Sequence, residues 1–286
     1  MPLLFDSFWR AVAYCLHPRV IVLSLLPLLL IMGLAVGLGY FFWDAALDQV
    51  RIWLDAFAFS GTLWNWLDNM GAGALKSALA PLLIIFAVTP LLVVISLLVV
   101  ALLMTPALVS LVSESRFSTL EKLRGASFLS SVLWSLGSTL AALVALIISI
   151  PLWAIPPLVL VLPPLIWGWL TYRVMAFDAL AEHASAEERR SLFRKHRAML
   201  FGMGVLTGYV GAAPSLVWAS GALFAAAFVI LVPVAIWIYT LVFAFSSLWY
   251  AHYCLAALQE LRSQAGATAT ATGNVVNAEA IVLEHK

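Results

Sequence analysis

The sequence predicts an all-α, polytopic membrane protein with about six membrane-inserted helices and amphipathic helices at the bilayer surface. Three observations lead there. Of 286 residues, 64% are apolar and only 10% are charged, against about 25% charged in a typical soluble domain. Mean hydropathy is +1.05. The charges are also gathered, since none lies between Arg124 and Arg173 and none between Arg197 and Glu260. Runs that are apolar at every position, rather than at alternate ones, exclude a transmembrane β-barrel. No basic face with interleaved aromatics exists to suit a nucleic acid.

Residues Pro2 to His17 predict a surface helix. At 100° per residue Leu4, Phe5, Phe8, Val12 and Leu16 share one face, and Asp6, Arg10, Ala13 and His17 lie opposite, with Trp9 and Tyr14 suited to headgroup depth. Asp6 and Arg10 cancel, so no cleavable signal is expected. Val20 to Trp43 runs 24 residues without a charge, enough for a first crossing, with a kink expected at Pro27. Gly33 and Gly37 form a GxxxG of the kind that admits a second helix closely.

Asp44 to Asp68 predicts a second interfacial helix. Asp44, Asp48, Arg51 and Asp55 form one stripe on which Arg51 can pair with Asp48 or Asp55. A turn at Ser60-Gly61 and a tryptophan pair, Trp64 and Trp66, follow at the membrane edge. Lys76 to Glu114 encloses 37 uncharged residues broken by Pro81, Pro90 and Pro106, which predicts one long kinked helix. Ala126 to Tyr172 must leave one side and return, turning among Pro151, Pro156, Pro157, Pro163 and Pro164. Two full crossings and a hairpin that enters partway both fit it.

The segment Arg173–Arg197 holds six of the fifteen Lys and Arg residues and must be a water-facing loop. Ser185 and Glu188 have capping-box spacing, so a helix should start at Ala186 and run into the membrane, with Arg190, Arg194 and Arg197 on one face. A last hairpin, Ala198–Trp218 and Ala219–Tyr250, turns near Gly211 to Ser220. Residues 1–261 are read as one membrane domain. The small, polar tail 262–286 is read as disordered and cytoplasmic. With the hairpins returning to their starting side, all Lys and Arg residues but Arg51 and Lys76 fall on one face. The positive-inside rule makes that face, with both termini, cytoplasmic. Cys15 and Cys254 then lie on the reducing side with no metal-ligand spacing, so neither a disulfide nor a metal is expected.

Two stretches carry a resemblance when read together. VLPPLIWGWLTYRVMAFDALAEHA pairs prolines with Arg173, Phe177-Asp178 and His183; LVPVAIWIYTLVFAFSSLWYAHY is a proline-opened apolar run near the end. With CLHPRVIVLSLLPLLL at the front, they resemble the family uniting bacterial CysZ sulfate permeases with the etoposide-induced protein, over nearly the whole chain to Leu261. The resemblance implies a bacterial inner-membrane protein that forms homo-oligomers and moves sulfate toward the cytoplasm. Permeases of this kind carry Gly-Leu-Arg just after a proline, whereas here Arg19-Val20-Ile21 follows Pro18.

The candidate anion-binding residues are Pro18, Arg19, Arg173 and Asp178. Pro18 opens a helix whose first amides and dipole favour an anion, with Arg19 beside them. Arg173 and Asp178 are ionisable groups next to apolar runs. Arg189, Arg190, Arg194, Lys195 and Arg197 are assigned to topology and to anionic lipid. No HExxH, GxSxG or P-loop spacing occurs, so neither an enzyme nor a cofactor is expected. Two functions fit: a permease for sulfate or another small inorganic anion, and a non-transporting membrane organiser that keeps the fold without the site.

Overall fold

The computed structural model describes residues 2–56, 73–123, 125–212 and 221–284. The backbone there is helical, with no strand among the described residues. In order the helices are α1 (Pro2–Cys15), α2 (Pro18–Ala56), α3 (Gly73–Arg116), α4 (Phe128–Ser149), a 3-10 turn (Ile150–Ala154), α5 (Pro156–Ala181), α6 (Ala186–Lys195), α7 (Arg197–Ala212) and α8 (Gly221–Glu284). Five stretches among the described residues are long and apolar enough to cross a membrane: Pro18–Trp53, Ala80–Arg116, Leu129–Ala154, Leu160–Ala181 and Pro233–Ala267. Helix α7, apolar after Arg197 but only 16 residues long as described, is the sixth inserted element that the sequence suggests.

Several expected boundaries move. The second interfacial helix is no separate element, because α2 runs unbroken from Pro18 through Asp44 and Asp48 to Ala56. No proline or glycine stands between Gly39 and Ala56 to interrupt it. Arg51 pairs with Asp48 at 3.6 Å, as the spacing predicts. Ser60, Gly61, Trp64 and Trp66 lie outside the described residues. The long segment after Lys76 is one helix of 44 residues, α3. The proline-rich turn forms where expected, with Pro151 in the 3-10 turn and Pro156 opening α5. At about 1.5 Å per residue, α4 spans about 33 Å and α5 about 39 Å, so each has the length for a full crossing of a core about 30 Å thick.

The chain divides into two compact units, Met1–Ser24 with Met104–Lys286, and Leu25–Leu103. In the second unit, a Cβ placed on Gly33 or Gly37 would meet nothing within 4 Å among the described residues. The tail read as disordered instead continues α8 as helix to Glu284. Alanines recur through it and no proline follows Pro233 to stop it. Along it Leu258 is buried, while residues 263–267 are exposed.

In the first unit, α1 lies against α8 through its small residues. Ser7 and Ala11 are fully buried, Phe8 meets Phe245 and Trp249 edge-on, and Trp249 Nε1 donates to the Leu4 carbonyl at 3.4 Å. Phe5, Trp9 and Leu16 stay outward. The apolar face expected of a surface helix is therefore shared between a protein contact and the outside. Helices α5 and α7 approach more closely still. A Cβ on Gly204 would collide with the Gly168 carbonyl, and one on Gly168 would strike the backbone of Val205 at 2.8 Å. Tyr250 of α8 closes the group, its hydroxyl donating to the Leu200 carbonyl at 2.7 Å.

This contact sets a test. Gly168→Leu or Gly204→Leu should cost the folded bundle at least about 3 kcal/mol by overpacking backbone against backbone. Gly202→Leu, where an added Cβ meets open space, should cost far less. Melting temperatures of the three variants in one detergent would check the order.

Candidate functional site

The charged segment assembles from three local instructions. Ser127 caps α4, its side chain accepting from the Ser130 amide at 3.2 Å. Ser185 and Glu188 form the predicted capping box: the Ser185 hydroxyl accepts from the Glu188 amide at 3.2 Å, and the Glu188 carboxylate accepts from the Ser185 amide at 2.8 Å. The helix so begun does not run on into the membrane. It ends at Lys195, and His196 separates it from α7, which Arg197 opens. Arg190 and Arg194 share a helix; Arg197 belongs to the next one.

Arg173 lies within α5 rather than in a loop, on a face shared at four-residue spacing with Trp169 and Phe177. Its guanidinium sits over the Trp134 ring at 4.0 Å and near Trp169 at 5.3 Å. Trp134 stacks on Phe177 at 5.0 Å and 19°, and the Arg189 guanidinium lies over Phe177 at 4.3 Å. Trp134 Nε1 also donates to the Arg173 carbonyl at 3.0 Å, fixing the ring. The result is a stack in which each ring takes one cation. Each such contact contributes about 0.5–2 kcal/mol. Arg173 Nε and Arg189 Nη1 are buried within it without a hydrogen-bond acceptor. Sequence reading missed the stack, although the spacing of Trp169, Arg173 and Phe177 was there to be seen. Arg189 is consequently half-buried and turned inward, unlike Arg190, Arg194 and Lys195 on the same helix.

Asp178 is half-buried, five residues from Arg173 on another side of α5, and takes part in no ion pair among the described residues. Pro18 does open α2, but the amides that an anion would need there are engaged. The Arg19 amide donates to His17 Nδ1 at 3.2 Å, and the Val20 and Ile21 amides donate to the His17 carbonyl at 2.9 and 3.1 Å. His17 is thus the cap of α2. The Arg19 side chain is exposed beside it. An apolar groove between α4 and α5, lined by Thr139, Ala142, Leu143, Leu146, Ile166, Trp167 and Leu170, touches none of the four candidates.

Two polar nodes went unforeseen. Arg262 of α8 donates to both Glu188 oxygens at 2.8 and 3.1 Å, to the Glu121 carbonyl at 2.9 Å and to the His183 carbonyl at 2.7 Å. Under this fork His183 is fully buried, with neither ring nitrogen bonded. At the end of α3, Arg116 pairs with Asp6 at 2.8 Å, and Asp6 also accepts from Arg10 at 2.9 Å. Tyr14 bonds Ser115 at 2.8 Å and meets His252 edge-on at 4.8 Å. No group of three His, Cys, Asp or Glu able to hold a metal occurs among the described residues, and both cysteines are free.

Charge follows from these surroundings. Arg262 holds the Glu188 carboxyl below its ordinary range, and Arg10 with Arg116 does the same for Asp6. Burial lowers His183, helped by Lys122 and Arg262 against Glu182. Burial also lowers His196, whose Nδ1 bonds the Tyr253 hydroxyl at 2.8 Å. Arg189 is lowered by burial and by Arg190.

Compared with known families, residues 7–220 match the model described as Sulfate transporter CysZ/Etoposide-induced protein 2.4. The chain belongs to this family. The match within the CysZ family begins inside α1, runs through α7 and ends before LVPVAIWIYTLVFAFSSLWYAHY, so that stretch, which carried part of the resemblance, lies beyond it. No curated protein and no solved structure matched.

Two outcomes follow for the charged layer. Arg262→Met should lower stability by about 2–3 kcal/mol, since it leaves Glu188 and two carbonyls without their charged donor; thermal unfolding in detergent would show it. His183 and His196 both lie below the ordinary value of 6.5 in the folded protein. The unfolded chain therefore takes up protons first, and stability present above pH 6.5 should fall as pH drops below it. Loss of Asp6 and Glu188 ionisation follows only at lower pH. His183→Leu should flatten the first part of that decline in unfolding scans from pH 7.5 to 5.

Proposed function

We propose that this chain is an inner-membrane permease carrying sulfate or another small inorganic anion toward the cytoplasm, with both termini on the cytoplasmic side. Membership of the CysZ family supports the class. The observation that carries the reading is Arg173, a cation within a membrane-spanning helix, held by two tryptophans and left with a buried Nε–H that no acceptor meets among the described residues. An ionisable group at that depth marks a substrate path by default. A doubly charged oxyanion is the acceptor that such a donor fits. Arg19 contributes only its side-chain charge, at the mouth of the path. The protein does no covalent chemistry on its cargo and works as a homo-oligomer.

A second reading, a membrane organiser that transports nothing, is favoured by one observation. His17 already occupies the first α2 amides, and the groove between α4 and α5 is lined by none of Arg19, Arg173 and Asp178.

Proteoliposomes with external radiolabelled sulfate separate the two. The permease should give uptake above empty vesicles, and Arg173→Lys, which keeps charge but loses the planar donor, should cut it about tenfold. Uptake equal to empty vesicles, or undiminished in Arg173→Lys and Arg19→Gln, would leave the organiser standing.

A further inference from the structure

We propose that the outer face of α6, continued by the first residue of α7, is a docking surface for the headgroups of anionic phospholipids. The helix has two unlike sides. Inward, Leu192 is 3% exposed, Phe193 joins the aromatic cluster beside Trp134 and Tyr172, and Glu188 is gripped by Arg262. Arg189 is drawn to the same side by Phe177. Outward stand Arg190, Arg194 and Lys195, with Arg197 just beyond; all four are exposed.

Among the described residues no carboxylate pairs with any of these four. The carboxylates nearest in sequence are otherwise placed: Glu188 belongs to Arg262, and Glu187 lies in the first turn of α6, where the helix dipole favours it. Four cations within eight residues thus face outward unneutralised.

Their height is set by the chain. Four residues separate α6 from the end of the membrane-spanning part of α5, and His196 alone separates it from α7, which carries no charge after Arg197. A ten-residue helix tied so shortly to the membrane-spanning part of α5, and followed at once by the apolar α7, is held at the bilayer surface. At that surface the ligand with negative charge at fixed height is the phosphodiester of a lipid. Guanidinium groups fit phosphate oxygens in pairs, and Arg190 and Arg194 are one helical turn apart. The occupant is therefore the bilayer itself in its anionic fraction, held at a fixed place against a rigid face rather than by a mobile basic tail.

Native mass spectrometry of the full chain, released from detergent and titrated with phosphatidylglycerol or phosphatidylcholine, tests this. The wild type should bind phosphatidylglycerol in preference. Arg190→Gln and Arg194→Gln should each weaken it about fivefold, the ratio matching about 1 kcal/mol per surface charge. The fourfold variant with Lys195→Gln and Arg197→Gln should show no preference, while Arg51→Gln should keep it. Undiminished preference in the fourfold variant, or equal loss in Arg51→Gln, would overturn the proposal. So would displacement of the lipid by millimolar inorganic phosphate, which would mark a free-anion site instead. Should the fourfold variant not purify, the two single variants decide alone.

Discussion

One guanidinium holds the charged end of the first unit together. Arg262 projects from α8 and meets three chain segments at once: the stretch after α3 at Glu121, the end of α5 at His183 and the start of α6 at Glu188. Loops usually carry their backbone polar groups to water. Here two carbonyls and a carboxylate are gathered onto one planar donor, which is the task an arginine fork performs and an ammonium does not. The Glu188 that Arg262 grips is also the capping residue of α6, so one ion pair fixes both where that helix starts and what it lies against. Next to it, the Ala126 amide donates to the Ala181 carbonyl at 3.0 Å, and Gly125 has no room for a side chain against Ala184.

The stack of Arg173, Trp134, Phe177 and Arg189 solves a different problem. A cation in a membrane helix needs either an opposite charge or a polarisable face. The chain supplies faces, and so leaves hydrogen-bond donors at Arg173 and Arg189 uncommitted. A stack of this type is also selective in form: it accepts a flat guanidinium and gives a lysine little. Its two cations reside on different rings, and the apolar groove nearby is lined by neither. Under the proposed function, an anion would meet these two charges separately rather than in one chelating pocket.

How much of this could be read in the amino-acid order depended on the range of the interaction. The class, the long α3, the proline turn, the capping box of α6 and the Asp48–Arg51 pair were all legible, because composition and spacing within a few residues determine them. The break at His196 was not, since nothing in AEERRSLFRKHRAML forbids a continuous helix; it comes from packing of His196 on Tyr253, 57 residues away. The Arg262 fork joins partners 74 to 141 residues apart, and one sequence without a partner pattern cannot announce such a meeting. At the candidate site the same limit shows. Pro18 and Arg19 looked like an open helix start, and it took the placement of the His17 ring to show that its first donors are engaged. The continuation of α8 beyond Leu261 fell outside the reading for a simpler reason: an alanine-rich polar segment without an apolar face offers no periodicity to detect.

The contact of Gly168 with Gly204 has a mechanical side. Two helices that touch backbone to backbone have no ridge of side chains to ride over, yet they cannot slide along one another. A shift by one turn would bring Gly204 level with Leu165 or Tyr172, whose side chains have nowhere to go. What remains free is rotation about the point of contact. The pair α5 and α7 is thus a pivot rather than a slide, and any rearrangement within this unit that preserves the contact must be a tilt of one inserted helix against the other.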